Sequence, residues 1–228
     1  MNAQLPLAFK ALSDQRFIDF LGQESVRTAV EQAAELNSEH ALFLAGAAGS
    51  GKSHLLQAAV NHAGALGSQT AYVPLAKLQG MLPQVLEGFE MHDLVCLDDV
   101  QAIAGYRPDE EALFHFYNRA KARGARLIFA GQQMPENLGI GLPDLVSRLQ
   151  QGLRLNLSVL DEQGKRLVLQ RRASRRGLQM DDAVTDYLFT RVSRDLHTLS
   201  ELLDRLDHAS LAAQRRLTVP FIKTVLVA

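Results

Sequence analysis

Residues 46–53 read Gly46-Ala47-Ala48-Gly49-Ser50-Gly51-Lys52-Ser53, and they come directly after the apolar run 41–45. This is the complete G-x-x-x-x-G-K-S pattern of a phosphate-binding loop. Glycines in such a loop let backbone N–H groups turn inward around the α- and β-phosphates, where a side chain would obstruct the approach. A strand pattern precedes the loop and a helix pattern follows it, so the sequence predicts a nucleotide site of the P-loop type.

Each residue type in this loop has an expected role. Lys52 is expected to reach the β- and γ-phosphates, and the Ser53 hydroxyl is expected to bind Mg²⁺. The helix that begins near Lys52 directs its positive end at the anion, and His54 is expected to contribute its backbone. We therefore predict a site for ADP or ATP with Mg²⁺, formed by Ala48, Gly49, Ser50, Gly51, Lys52, Ser53 and His54.

A second segment, Leu94-Val95-Cys96-Leu97-Asp98-Asp99, has the pattern of a buried strand that ends in two carboxylates. A phosphate loop needs an acid to hold its metal ion, so we expect Asp98 to bind Mg²⁺ through water and Asp99 to orient the attacking water. The later apolar run 127–130 ends near Gln132, which would place a polar side chain beside the γ-phosphate. Alone, each segment is an ordinary strand exit; beside an intact phosphate loop, both favour a catalytic interpretation.

Five short apolar runs alternate with mostly helical patterns in the first part of the chain. The runs cover 41–45, 70–75, 94–97, 127–130 and 153–157. Such alternation predicts an α/β domain over 13–158, in which a parallel five-stranded sheet is flanked by helices on both faces. The pattern from about Leu160 is helical, so a small all-helical domain is predicted over 159–228.

Composition narrows the class of protein. The 228 residues are 47% hydrophobic and 21% charged, which is sufficient for a buried core. The single Cys96 excludes an intrachain disulfide, and no apolar run reaches the roughly 18 residues of a membrane span. We expect a cytoplasmic protein without a membrane partner. The formal net charge of −1 gives no global attraction to nucleic acid, so any contact with DNA is expected to be local or indirect.

The order of these parts resembles the AAA+ ATPases, and the details resemble the bacterial replication initiator DnaA. Residues 49–58 and 97–101 are similar to the initiator's phosphate loop and acidic strand end. The segment Arg16-Phe17-Ile18-Asp19-Phe20-Leu21-Gly22 resembles the stretch that lines the base pocket in that family, which implies that Leu21 and Gly22 contact the nucleotide. The resemblance implies an AAA+ body followed by a helical lid domain.

The segment Leu142-Pro143-Asp144-Leu145-Val146-Ser147-Arg148-Leu149 resembles the family's box VII, which implies that Arg148 is an arginine finger. Taken by itself, an arginine at this place is also compatible with a salt bridge at a helix end. Two positions depart from the initiator. His197 stands where the initiator has its sensor 2 arginine, and Gln132 stands in place of the sensor 1 acid. A neutral imidazole cannot replace a guanidinium on a γ-phosphate, so ADP is the expected ligand and slow turnover is expected.

The two ends of the chain indicate a role other than initiation. The initiator carries a C-terminal helix-turn-helix domain, whereas this chain ends at Ala228, so we expect no DNA binding of that kind. Residues 1–12 include Gln4-Leu5-Pro6-Leu7-Ala8-Phe9, which resembles a sliding-clamp-binding peptide. In such a peptide Leu5, Leu7 and Phe9 enter apolar clefts and Gln4 bonds at the rim. Without the rest of the chain, a disordered tail would be the commoner interpretation.

This combination resembles the regulatory homologues of the initiator. It implies a protein that attaches to the DNA polymerase III β sliding clamp and makes DnaA hydrolyse its bound ATP, so that initiation is not repeated. Arg148 would act in trans, against charge that develops on the γ-phosphate in the partner's site. DNA would be met only through the clamp, in association with the nucleoid, and a homodimer is compatible with this role.

Two other interpretations stay open. A helicase loader related to the initiator would use its N-terminus to grip the helicase, and a free-standing P-loop ATPase would act on a small molecule. The apolar Gln4-Leu5-Pro6-Leu7 segment suits a cleft on the clamp better than a contact with a helicase, which weighs against the helicase loader. The sequence offers no substrate pocket for the second, in which Arg148 would have no purpose.

Overall fold

The computed structural model describes residues 15–35, 41–192, 196–213 and 216–227. The chain divides into two compact units, and the division falls between Val159 and Leu160. The predicted clamp-binding residues Gln4, Leu5, Leu7 and Phe9 lie outside the described ranges. None of the helices in those ranges is long and apolar enough to pass through a membrane.

The first unit contains a five-stranded parallel sheet with the order β2-β3-β4-β1-β5, which confirms the predicted sheet. The strands are β1 (Leu42–Gly46), β2 (Thr70–Pro74), β3 (Leu94–Asp98), β4 (Arg126–Gly131) and β5 (Leu153–Leu157). The helices are α1 (Glu24–Ala34), α2 (Lys52–Ala65), α3 (Leu82–Val85), α4 (Arg107–Ala122) and α5 (Pro143–Gln150).

Side chains of the strands alternate between two apolar layers. Along β1, Phe43 and Ala45 pack in the same layer as α4 and α5, whereas Leu42 and Leu44 pack in the layer of α1 and α2. Both faces of β1 are therefore covered, which explains why the strand is a continuous apolar run. As a consequence, α2 and α5 lie on opposite faces of the sheet.

One edge of the sheet collects the loops that bear the predicted chemistry. Parallel strands all end at the same edge, and β4 lies between β1 and β3. The register pairs Ala45 with Gly131 and Leu97 with Phe129, so the ends of β1, β3 and β4 lie at nearly the same level. The phosphate loop, the acidic pair and Gln132 thus follow three adjacent strands.

A buried arginine lies at the opposite end of the sheet, where the strands begin. Arg126, the first residue of β4, donates through its guanidinium to the Ala34 carbonyl at the end of α1 and, over 3.0 Å, to the Ser68 hydroxyl. Its Nε also donates to the Asp93 carbonyl oxygen, 3.2 Å away. These acceptors satisfy a charged group that would otherwise be costly to bury. One side chain therefore ties together the segments that lead into the amino ends of β2 and β3.

Within its described residues the second unit contains helices joined by short loops and no strand, as predicted. It contains α6 (Glu162–Arg175), α7 (Asp182–Arg191), α8 (Leu196–Ala213) and α9 (Val219–Val227). Asp161 accepts a hydrogen bond from the Gly164 N–H at 2.7 Å, and Asp181 accepts one from the Val184 N–H at 2.8 Å, so each caps its helix. Apolar side chains from all four helices form its own core.

The entry into β5 generates a prediction about stability. Gly152 has a φ of +119°, and a Cβ at this position would lie 2.0 Å from the Ala41 carbonyl oxygen. Because the obstacle is backbone of the neighbouring segment, Gly152→Ala must displace β5 from β1. We expect it to lower the free energy of unfolding by more than about 3 kcal/mol, measured by urea denaturation.

Gly67→Ala is the matched control for this substitution. Gly67 also has a positive φ, +90°, but a Cβ there would meet nothing within 4 Å. This variant should lose only the cost of the left-handed backbone, about 1 kcal/mol. Equal losses in the two variants would contradict the steric explanation.

Candidate nucleotide site

The loop between β1 and α2 has the backbone of an anion cradle. Gly49 and Gly51 have φ values of +77° and +100°, a region that glycine adopts without steric cost. Helix α2 starts at Lys52, and the first N–H groups of a helix lack partners within it. At Gly46 a Cβ would lie 2.6 Å from the Leu157 carbonyl oxygen. The predicted loop residues therefore form one turn, in which Ala48 and Gly49 are exposed and Ser50 is buried.

Lys52 is held beneath this loop. Its Nζ donates to the Gly46 carbonyl oxygen at 2.6 Å and to the Ala47 carbonyl oxygen at 2.9 Å. Burial lowers the pKa of Lys52, and the nearby carboxylates of Asp98 and Asp99 oppose that shift. The ammonium group thus lies between the loop and the two acids, where it could meet the phosphates of a bound nucleotide.

The predicted metal ligands lie together. The Ser53 hydroxyl is hydrogen-bonded to the Asp98 carboxylate, and Asp98 is 1% exposed. Burial raises the pKa of Asp98, and hydrogen bonds from Ser53 and Tyr72 oppose the shift. Hydroxyl and carboxylate oxygens are donors that suit Mg²⁺, whose remaining ligands would be phosphate and water. No group of three or more His, Cys, Asp or Glu forms an all-protein metal site within the described ranges.

The second acid and the end of β4 are joined by a side chain that sequence analysis did not select. Gln101 donates from Nε2 to Asp99 Oδ1 at 2.9 Å, and its Oε1 accepts from the Gln132 backbone N–H at 3.1 Å. Asp99 has a φ of +57°, the left-handed region. The structure therefore brings Asp99 and Gln132 to the same edge and fixes them through one carboxamide, while the Gln132 residue itself is exposed.

The segment before α1 docks on α2. The Asn61 side chain donates to the Gln15 carbonyl oxygen at 2.9 Å, and His54 Nε2 lies 3.0 Å from the Arg16 carbonyl oxygen. Phe17 is buried against α2, with its ring 5.6 Å from the ring of His62. His54 thus binds this segment through its ring, and its predicted backbone contact with phosphate stays a prediction.

Phe20 connects the same segment to the phosphate loop. A Cβ at Gly51 would lie 2.8 Å from the Phe20 ring, and one at Gly22 would lie 2.9 Å from it. The ring centroid of Phe20 is 5.8 Å from that of His54. Leu21, half-buried, and Gly22, exposed, follow directly, so both predicted base-side residues lie beside the loop.

Two predicted residues are not placed at this cluster. Arg148 lies on α5, on the face of the sheet opposite α2, and its Nη1 donates to Gln151 Oε1 at 3.2 Å. Arg148 therefore lies on the other side of the sheet from the helix that follows the phosphate loop of its own chain. His197 belongs to α8 in the second unit, and its side chain falls outside the described part of the structure.

Two models of known protein families match the chain, one in each of its two units. Residues 14–156 match the family model of the bacterial DnaA ATPase domain, which covers more than half of the chain. The chain belongs to the DnaA family of AAA+ ATPases. Residues 161–226 match the family model of the Hda lid domain, so this DnaA-family chain is Hda-like. The resemblance inferred from the sequence is confirmed.

Individual proteins and solved structures are similar to most of the chain. A protein of Haemophilus influenzae described only as uncharacterized is 41% identical over 231 residues, which cover 99% of each chain. Domain III of the Thermotoga maritima initiator DnaA superposes with a TM-score of 0.78 at 21% identity, over 94% of this chain and 96% of that one. DnaA of Aquifex aeolicus, solved with AMPPCP, has a TM-score of 0.68 at 25% identity, over 86% of this chain and 65% of that one. These matches confirm the predicted AAA+ fold.

In this DnaA-family protein, sequence reasoning missed Tyr72, Gln57 and Gln101. Tyr72 donates through its hydroxyl to Asp98 Oδ2 at 2.7 Å, and Gln57 is hydrogen-bonded to the same hydroxyl. The signal for Gln57 is its spacing, because it lies one helical turn after Ser53 and so shares its face of α2. The signal for Tyr72 would have been the pairing of β2 with β3, which the sequence does not give.

The pKa of Asp98 generates a prediction about the nucleotide-free DnaA-family protein. A carboxyl group whose pKa is raised by folding stabilises the protein while it is protonated, and that stability is lost as pH rises through its folded pKa. Asp98→Asn removes the buried charge, so it should raise the free energy of unfolding at neutral and higher pH. The gain should shrink as the pH is lowered and Asp98 becomes protonated. Urea denaturation in EDTA, carried out at acidic, neutral and alkaline pH, measures this gain.

Glu87→Gln is the control, because Glu87 is an exposed carboxylate of the same unit. Its free energy of unfolding should follow that of the unsubstituted protein at each pH. A stability loss in Asp98→Asn at pH 8 would contradict the inferred cost of burying this charge.

Proposed function

We propose that this protein is a nucleotide-bound regulator of replication initiation, which stimulates hydrolysis of the ATP bound to DnaA and so prevents re-initiation. The observation that carries the proposal is the combination of a DnaA-type ATPase unit with an Hda-type lid in one chain. The ATPase unit resembles that of the initiator, so the two ATPase units could pair with each other. The Hda-type lid distinguishes the chain from the initiator itself.

The proposed ligand is ADP, or ATP that is hydrolysed slowly, with Mg²⁺. Support comes from the cradle of residues 46–53, from Lys52 beneath it and from the Ser53–Asp98 pair beside it. A DnaA structure at 25% identity was solved with AMPPCP, a nucleotide analogue. The preference for a diphosphate rests on Gln132 and His197, which stand where the initiator has residues suited to a γ-phosphate.

Arg148 is the proposed group that acts on the initiator. It is half-buried on α5, and its hydrogen-bond acceptor, Gln151, is neutral, so that contact leaves the guanidinium charge uncompensated. The sheet separates α5 from the helix of its own phosphate loop. A guanidinium in this position is suited to stabilise charge that develops on a phosphate of a second ATPase rather than of its own chain.

Substitution of Arg148 should reduce the stimulation of DnaA without changing the binding of ADP. Arg148→Ala should reduce stimulation of DnaA ATP hydrolysis about 10³-fold, because an arginine supplied in trans contributes at least that much in related reactions. ADP affinity should be unchanged, since Arg148 lies away from the phosphate loop. Arg148→Lys should not restore stimulation, because a lysine lacks the planar fork of donors. The rate of hydrolysis is measured with labelled ATP that is bound to DnaA beforehand, in the presence of DNA loaded with the clamp.

Arg154→Ala is the matched control for charge. Arg154 is an exposed arginine of β5 whose Nη1 lies 3.7 Å from Glu136 Oε2. This variant should stimulate normally. Normal stimulation by Arg148→Ala would show that another residue acts on the initiator.

The N-terminal segment is the proposed tether to the DNA polymerase III β sliding clamp. Gln4, Leu5, Leu7 and Phe9 offer one polar and three apolar side chains in an extended peptide pattern. The segment precedes Gln15 and Arg16, whose carbonyl groups are bound by α2. Through this tether the protein would meet DNA only indirectly, at the replisome. A homodimer stays compatible with the proposal.

Removal of residues 1–9 should lower clamp affinity at least about 10-fold, because three apolar side chains lose their clefts. Stimulation of DnaA should fall with it, whereas ADP affinity should not change. Asn2→Ala lies outside the motif and is the control. Clamp binding by surface plasmon resonance and the hydrolysis assay measure the two effects. Equal stimulation by the truncated chain would contradict the tether, and no stimulation by the intact chain would contradict the regulatory function itself.

A further inference from the structure

The geometry points to Tyr72 as a positioning residue of the metal site: with Gln57, it fixes the carboxylate of Asp98 so that Mg²⁺ completes the binding of a nucleotide. This inference rests on the proposed nucleotide site and adds to it two side chains that contact neither nucleotide nor ion. They would act through the residues that Tyr72 bonds, which are Asp98 and Ser53.

The pairing of β2 with β3 places Tyr72 where it can reach Asp98. Tyr72 is opposite Cys96, and Pro74 is opposite Asp98. Because side chains alternate along a strand, Tyr72, Cys96 and Asp98 point to the same face, which is the face covered by α2. Tyr72 is thus a diagonal neighbour of Asp98, and its hydroxyl oxygen is 2.7 Å from Asp98 Oδ2.

Asp98 is held by three donors of its own chain. Its Oδ1 accepts from the Asp99 backbone N–H at 3.0 Å, its Oδ2 accepts from Tyr72, and the Ser53 hydroxyl also bonds to it. An ionised carboxylate has about four acceptor directions, so few are left for other partners. Donors on both oxygens fix the plane of the carboxylate. The remaining acceptor direction is then suited to a metal-bound water, which agrees with a contact through water.

Gln57 sets the direction of the Tyr72 hydroxyl. It lies on α2 one turn after Ser53, is 7% exposed, and is hydrogen-bonded to Tyr72. A carboxamide N–H that donates to the phenol oxygen leaves the phenol proton for Asp98. The chain Gln57, Tyr72, Asp98 therefore has a defined order of donors and acceptors. Each member is supplied by a different element: α2, β2 and β3.

Groups that orient a metal ligand from behind contribute about 10- to 100-fold to metal affinity. Tyr72→Phe keeps the ring and removes only the hydroxyl. It should raise the Mg²⁺ concentration that gives half of the Mg²⁺-dependent gain in ADP affinity by about 10-fold. ADP affinity in EDTA should stay unchanged, because the loop residue to which Tyr72 is bonded is Ser53, whose expected role is at Mg²⁺ rather than at the phosphates.

The experiment titrates Mg²⁺ into the full chain with a fluorescent ADP analogue and compares the unsubstituted protein with Tyr72→Phe. Gln57→Met, which removes the donor to Tyr72 at similar volume, should shift the midpoint in the same direction by a smaller factor. Tyr106→Phe is the matched control, since Tyr106 is 42% exposed and precedes α4 on the other face. Its midpoint should equal that of the unsubstituted protein.

Two results would overturn the inference. An unchanged Mg²⁺ midpoint in Tyr72→Phe would show that the hydroxyl does not position Asp98. An equal loss of ADP affinity with and without Mg²⁺ would show that Tyr72 only supports the fold of the site. If the unsubstituted protein bound no ADP in either condition, the proposed nucleotide site would fail, and this inference with it.

Discussion

Parallel backbone pairing of β4 with β1 on one side and β3 on the other is the constraint on which the site depends. It sets three strand ends side by side at one level, with Ala45 opposite Gly131 and Leu97 opposite Phe129. Residues separated by about 85 positions, from Gly46 to Gly131, thereby become neighbours. A one-residue slip of β3 would turn Asp98 to the face of α4 and away from Ser53. The chemistry of this edge therefore depends on strand register before it depends on any side chain.

Sequence was sufficient for the features that are local in the chain. The phosphate loop is a contiguous run, the strands are apolar because both of their faces are covered, and Asp161 and Asp181 cap helices that begin beside them. The five strands and the helical second unit follow from such patterns. The roles assigned to the individual site residues remain predictions, although the loop, Ser53 and Asp98 lie together.

Contacts between distant segments could not be read in the same way. Tyr72 meets Asp98 only because of the β2–β3 register, and Gln101 bridges Asp99 to Gln132 across two loops. Phe20 lies against Gly51 because the segment before α1 folds back on α2. Each of these side chains belongs to a common residue type without a motif around it. Their importance comes from partners that periodicity and spacing do not identify.

Lys52 illustrates how the loop keeps its form. Its ammonium group bonds to two carbonyl oxygens of the same loop, and the glycines beside it take left-handed backbone angles that glycine adopts without steric cost. A site that is already shaped loses little conformational entropy when it is filled. One donor of the ammonium group is still left for an incoming oxygen. A departing nucleotide would thus leave an intact receptor, and occupancy could follow the ratio of nucleotides in the surroundings without refolding at each exchange.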